Sequence, residues 1–177
     1  MAERGEATVL IGFMGSGKSS VGRHLARRLR LPRRDTDQMI SSRMGVPIGE
    51  IFAEHGEEAF RVAETELLRE FSQEAAIIVT GGGIVLRPEN RVMLRRLGRV
   101  VNLAADEETL FERVSRRRTR PLLKTPHPRS TLRELLRARE PLYLAAADFT
   151  VDTSALRHEQ VADAILARLE ELEVNER

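Results

Sequence analysis

"TVLIGFMGSGKSSVGRHLARRL", residues 8–29, runs from an apolar stretch straight into a loop of glycines and serines around a single lysine. An amphipathic pattern follows at once. Within the loop, "GFMGSGKS" (Gly12 to Ser19) fits G-x-x-x-x-G-K-[ST] in full, between an expected strand and an expected helix. Glycines allow successive backbone N–H groups to turn inward toward phosphate oxygens. A helix beginning near Ser19 adds the partial positive charge of its N-terminus at the same spot. Lys18 can reach the β- and γ-phosphates, and the Ser19 hydroxyl can ligate Mg²⁺. The loop reads as a nucleoside triphosphate cradle with ATP as its expected occupant.

The bulk properties are compatible with such a domain. The chain has 177 residues, 41% of them hydrophobic and 32% charged, a globular balance that favours one domain with a real core. No apolar run approaches the roughly 20 residues that span a bilayer, and "MAERGEA" lacks a signal peptide's apolar stretch, so a cytoplasmic address is expected. There is no cysteine, which excludes disulfides and thiolate metal sites. The sequence pI is about 9.6, but the formal net charge is only +2. Lys18 and Lys124 are the only lysines. An arginine bias suits small anionic ligands and nucleic acid alike, or reflects base composition alone.

Short β-type runs recur at 8–13, 76–81, 99–103 and 148–152, separated by helix-period stretches. That alternation predicts a parallel sheet covered by helices. In 57–71 the apolar stripe is Phe60, Ala63, Leu67 and Phe71, which places Arg61 and Glu64 off the buried face. The last helix repeats Val161, Ile165, Leu169 and Leu172. "TLRE" (131–134) has capping-box spacing and predicts a helix from there to about Ala146. The arginine- and proline-rich stretch 116–130 before it reads as a mobile, charged loop.

The strand at 76–81 ends in Gly81-Gly82-Gly83, without the acid that commonly holds Mg²⁺ there. Acids stand earlier, as Asp35 and Asp37 in "RRDTDQM". At a strand end their spacing puts both carboxylates on one side with Thr36 opposite. One could serve Mg²⁺, through water, while the other reaches a substrate hydroxyl. A cap or solvated turn is the plain alternative for such a pair.

In order, the P-loop, "DTD" (35–37), "IFAEHGEEAFR" (51–61), "GGG" (81–83), "RPLL" (120–123) and "REPLY" (139–143) resemble shikimate kinase, of the nucleoside monophosphate kinase-like P-loop group. The resemblance covers essentially the whole chain. It implies a three-layer α/β/α fold with a five-stranded parallel sheet of order 2-3-1-4-5, and phosphorylation of the shikimate 3-hydroxyl by Mg-ATP in aromatic amino-acid biosynthesis. It also implies a single kinase domain over 1–177, with a substrate-binding region at about 37–64 and a lid at about 116–130.

By the same resemblance, Lys18, Asp37 and Arg120 are the catalytic residues. Gly15, Ser16, Gly17, Lys18, Ser19, Ser20, Arg113, Arg120 and Arg157 are ATP-binding. Asp37, Arg61, Gly82 and Arg139 bind substrate, and Ser19 with Asp35 forms the Mg²⁺ side. A guanidinium grips a carboxylate bidentately, which suits Arg61 and Arg139 to shikimate's acid group. Asp37 is expected to orient the attacking hydroxyl rather than deprotonate it early. Arg120 resembles the lid arginine that closes over the phosphates, while Arg116, Arg117 and Arg118 read as a solvated run. Arg113 resembles an adenine-stacking arginine, with an exposed helix arginine as the alternative.

The loop "TSALRHE" departs from the family's arginine and proline near adenine, and Arg157 is the candidate substitute. Phe52 and Phe60 either flank the substrate ring or pack in the core. The four histidines show no metal-ligand spacing and receive no role. Small-molecule partners, ATP and shikimate, are expected for a monomer, with no nucleic acid and no membrane. Two other readings are a gluconate-type kinase and a nucleic-acid-binding ATPase. The first lacks the paired arginines; the second sits poorly with the modest net charge and the absence of an aromatic stacking stripe.

Overall fold

The computed structural model of the chain describes residues 6–116 and 125–175. Five strands form one parallel sheet: β1 (Ala7–Gly12), β2 (Arg33–Asp35), β3 (Ile77–Val79), β4 (Gly98–Ala104) and β5 (Phe149–Asp152). Their order is β2-β3-β1-β4-β5, as the family resemblance implied. Among the described residues, seven α-helices connect and cover them: α1 (Lys18–Leu29), α2 (Thr36–Met44), α3 (Ile48–Glu70), α4 (Pro88–Leu97), α5 (Glu107–Ser115), α6 (Pro128–Ala146) and α7 (His158–Asn175).

The central strand β1 is buried along its length, and its alternating side chains feed two cores. Val9 and Ile11 join Ile78 and Val100 under α3, α4, α5 and α6. Leu10 faces the other way, with Val79 and Val101, under Val21 and Leu25 of α1 and Val161 and Ile165 of α7. Adjacent parallel strands need a crossover, so every strand ends at the same edge of the sheet. The Gly-rich loop, Asp35, Gly81 and Thr153 therefore converge at the carboxyl ends of β1, β2, β3 and β5. That is where open α/β sheets hold ligands.

The structure shows where the one strand beyond the four β-type runs lies and corrects three expectations. Strand β2 has only three residues and no apolar run; its backbone pairing to Ile77, Ile78 and Val79 makes it a strand. Asp35 and Asp37 do not share a strand face, because the helix begins between them. Asp35 caps α2, accepting the Gln38 N–H, while Asp37 sits in its first turn. Helix α6 begins at Pro128, a residue suited to the first helical position, so 128–130 is helix and the "TLRE" capping box does not form. The Thr131 hydroxyl instead donates to the His127 carbonyl.

The third correction concerns α3. It is kinked at Gly56, whose φ of 81° and ψ of 167° interrupt the helix. Arg61 and Glu64 are not off the buried face: they are 6% and 0% exposed. The helix has two buried sides, an apolar one with Ile51, Phe60 and Leu67 packed against Ile40 of α2, and a polar one turned to the sheet end. A single apolar stripe in the sequence reveals only the first.

Candidate active site

The Gly-rich loop leads into α1 through Gly17, whose left-handed φ of 97° caps the helix. The Lys18 side chain folds along the loop and donates to the Gly12 and Phe13 carbonyls at 2.7 and 2.9 Å. It lies on the wall of a cleft of about 770 Å³ together with Gly15, Gly17, Ser19 and Ser20. Asp35, Asp37, Gly82, Arg113 and Arg157 line the same cleft. Ser16 is wholly buried beneath the loop, its hydroxyl 3.5 Å from the Lys18 ammonium. Arg120 lies outside the described residues, as do Arg117 and Arg118. Arg116 is exposed, pairs with Glu112, and reaches the cleft wall.

Arg113 is half-buried and well anchored, so the exposed-arginine reading fails. Its guanidinium donates to the Thr153 carbonyl at 2.7 Å, the Thr153 hydroxyl at 3.0 Å and the Gly15 carbonyl at 3.4 Å. The Thr153 hydroxyl in turn donates to the Ser16 carbonyl at 3.1 Å. Arg113 and Thr153 thus clamp the outer side of the phosphate loop to the end of β5. Neither contact is visible in the sequence, because Thr153 and Ser16 stand 137 residues apart. His24 and His158 also line the cleft, although the sequence reading gave no histidine a role.

A second, smaller cavity of about 80 Å³ is lined by Met14, Asp37, Phe52, Phe60, Arg61, the Gly81–Gly83 turn and Arg139. It adjoins the first through Met14, Asp37, Gly81 and Gly82, which line both. Phe60 is core and cavity wall at once. Its ring lies 5.1 Å from that of Phe52, and the Arg61 guanidinium stands over both.

Arg61 is held by two carboxylates. It donates to Glu64 at 2.6 Å and to Glu57 through Nε at 3.2 Å and Nη2 at 2.9 Å. Those bonds use three of the guanidinium's five N–H donors and leave two for a ligand. Arg139 is 4% exposed and lies one turn before Tyr143 on α6, where its charge acts on the Tyr143 hydroxyl. Burial pushes the Glu64 carboxyl up to about 7, against the opposing pull of Arg61 and Arg139 and with a further push from Asp37. The cavity therefore sets two buried cations beside Asp37 in its wall, with Glu64 bonded to Arg61. Glu64 was legible only as the i,i+3 neighbour of Arg61.

The oxygen donors fit a hard divalent ion. The Ser19 hydroxyl and the Asp35 carboxylate face the same cleft as Lys18. Asp35 also accepts from Arg33 at 2.9 Å, which orients its carboxylate. Among the described residues no group of three or more His, Cys, Asp or Glu could hold a metal. Few protein ligands, supplemented by phosphate oxygens and water, are the usual environment of Mg²⁺.

The family model described as shikimate kinase matches residues 14–170. The shikimate kinase of Thioalkalivibrio sulfidiphilus (strain HL-EbGR7) is 51% identical over 146 residues, which cover 82% of this chain and 77% of the relative. That of Bordetella pertussis (strain Tohama I) is 47% identical over 165 residues, covering 93% and 78%. Among solved structures, the shikimate kinase of Acinetobacter baumannii in complex with shikimate superposes with a TM-score of 0.88. It is 35% identical and covers 96% of this chain and 95% of its own.

Proposed function

The chain belongs to the shikimate kinase family, and from that premise we propose that it transfers the γ-phosphoryl group of ATP to the 3-hydroxyl of shikimate with Lys18, Asp37 and Arg120 as its catalytic groups. One observation carries the assignment to Lys18 and Asp37. Two buried arginines, Arg61 and Arg139, line a cavity that opens through Asp37 and Gly82 onto the cleft holding Lys18. A carboxylate gripped by the arginines leaves the hydroxyls of its ring toward Asp37, between the acid anchor and the phosphate loop.

The reaction forms a bond between the hydroxyl oxygen and the γ-phosphorus and breaks the bond to the β-phosphate bridge, with ADP leaving. Such transfer has a loose transition state, so positioning and charge neutralisation supply most of the rate. The backbone N–H groups of Gly15 to Ser20 and the N-terminus of α1 hold the phosphates. Lys18 exchanges its loop carbonyls for phosphate oxygens and takes up charge developing on the β–γ bridge. Asp37 accepts the hydroxyl's hydrogen bond and aims its oxygen at phosphorus. Mg²⁺, held by Ser19 and through water by Asp35, would neutralise the β- and γ-oxygens when bound. Arg113, fixed by Thr153, and Arg157 border the nucleotide side.

We take residues 37–64 as the substrate-binding region of one kinase domain; most of the lid expected at 116–130 lies outside the described residues, and the "RPLL" motif alone assigns Arg120. We take the enzyme to be a cytoplasmic monomer whose partners are ATP and shikimate, not nucleic acid or a membrane. Many surface arginines are paired with acids, among them Arg34 with Glu74, Arg43 with Glu70 and Arg133 with Glu107, which weakens any basic face. The deciding experiment is ADP release with Mg-ATP and shikimate, quinate, gluconate or no acceptor. Saturable turnover with shikimate alone is expected. Equal rates with all four would remove the acceptor assignment while leaving the ATP cradle.

A further inference from the structure

Tyr143 has no part in the chemistry above, yet it is bonded to Gly82, a residue of the acceptor cavity's wall. The residue is 3% exposed, its hydroxyl donates to the Gly82 carbonyl, and the charge of Arg139, one turn earlier on the same helix, acts on that hydroxyl. Burial pushes that hydroxyl up to about 12, so it remains a donor at any working pH. The Gly82–Gly83 peptide is trans, as the described chain has no cis bond. With its carbonyl turned to Tyr143, its N–H, which belongs to Gly83, points the opposite way. That N–H has no acceptor among the described residues, and a buried backbone donor needs one. Gly83 also lies directly under the other arginine: a Cβ there would fall 2.2 Å from the Arg61 Cζ. One phenol thus fixes one peptide between the two guanidinium groups.

We propose that Tyr143 is a positioning residue for the acceptor's carboxylate: by donating to the Gly82 carbonyl, its hydroxyl sets the Gly82–Gly83 peptide so that the peptide N–H joins Arg61 and Arg139 in holding that carboxylate. The inference rests on the reading that these two arginines bind the acid group. It assigns the tyrosine of "REPLY" a role distinct from that of the arginine in the same motif.

The test compares shikimate with its neutral carboxamide as acceptors for the wild type, Tyr143→Phe and Arg139→Ala. The phenyl ring keeps the packing and removes only the hydroxyl. Tyr143→Phe should raise the KM for shikimate about tenfold, leave the KM for ATP unchanged, and leave the carboxamide's KM near the wild-type value. A purely structural role would shift both acceptors together. If Arg139→Ala removes the preference for the carboxylate and Tyr143→Phe keeps it, the positioning role is overturned and the arginine reading stands. If Arg139→Ala also keeps the preference, both fall. Should Tyr143→Phe fold poorly, the wild type decides: its Gly83 amide resonance should move on saturation with shikimate and hardly at all with the carboxamide. A Gly83 resonance that ignores both ligands overturns the proposal.

Discussion

Glu64, with no exposed surface, accepts a hydrogen bond from Arg61 at 2.6 Å through one oxygen, while its other oxygen has no hydrogen-bond partner among the described groups. A carboxyl that burial lifts to about 7 is poised to take a proton when a further negative charge arrives. Binding of shikimate's carboxylate beside Arg61 should therefore take up part of a proton near neutral pH. Calorimetric titration at pH 7 in buffers of different ionisation heat measures it, and Glu64→Gln should abolish the uptake. Equal apparent enthalpies across buffers would show that Glu64 keeps its charge state. For stability the sign follows from a folded value above the usual 4.5. This group's contribution is fully present below that value and is lost as pH rises through about 7. Urea midpoints between pH 5 and 8 should fall less steeply in Glu64→Gln.

Lys18→Met keeps the aliphatic stem and removes the ammonium that reaches the Gly12 and Phe13 carbonyls. Loss of one such charged donor at the transferring group should lower kcat by about 10²–10³ or more. The far-UV spectrum should not change, since the loop's conformation is set by its glycines and by α1. Turnover within tenfold of the wild type would contradict the phosphate assignment.

The phosphate loop was legible because its information is contiguous: Gly12 to Ser19 specify both the turn and the ligand. Helix α7 was legible because Val161 and Ile165 mark one stripe against one core. What escaped the sequence depends on distant partners. Strand β2 is polar and short, and it exists because β3 offers a backbone edge. Arg61 and Glu64 read as surface residues because periodicity reports a single apolar side, whereas α3 is buried on two. The start of α6 was misplaced because Thr131 and Glu134 imitate a capping box inside a helix that Pro128 had already begun. The Tyr143 bond to Gly82 spans 61 residues and could not be read from either motif alone.

Gly83→Ala should act on the acceptor and spare the nucleotide. The new methyl would lie 2.3 Å from both terminal nitrogens of Arg61 and so displace the guanidinium. The displaced group is the end of a flexible side chain, so the fold should survive. The KM for shikimate should rise about tenfold or more, as for a misplaced charged contact, with the KM for ATP within twofold. A rise in the ATP constant instead would relocate the effect to the phosphate loop.

Thr153→Val is the matching test on the nucleotide side. It preserves shape but removes the hydroxyl that donates to the Ser16 carbonyl and accepts from Arg113. Releasing the outer clamp of the phosphate loop should raise the KM for ATP about fivefold, the worth of one modest buried hydrogen bond, and leave the shikimate KM alone. Steady-state kinetics with each substrate varied in turn separates the two. Unchanged ATP kinetics would reduce Thr153 to packing.

Gly56→Ala isolates backbone conformation from sterics. A Cβ at Gly56 meets nothing within 4 Å, so crowding cannot explain any effect. The cost arises from φ 81° and ψ 167°, a region almost reserved for glycine, and should be about 1–3 kcal/mol. For a chain of this size that lowers Tm by about 2–10 °C. The kink also turns the Phe52 half of α3 against the Phe60 and Arg61 half, where the two rings sit 5.1 Å apart. Alanine favours a continuous helix, which would carry Phe52 away from Arg61 and open the acceptor cavity. The shikimate KM should therefore rise with the loss of stability, while ATP binding, carried by the opposite side of the cleft, stays constant. A lower Tm with unaltered shikimate kinetics would make the kink a folding feature alone. An unaltered Tm would mean that α3 adopts its bend without help from this glycine.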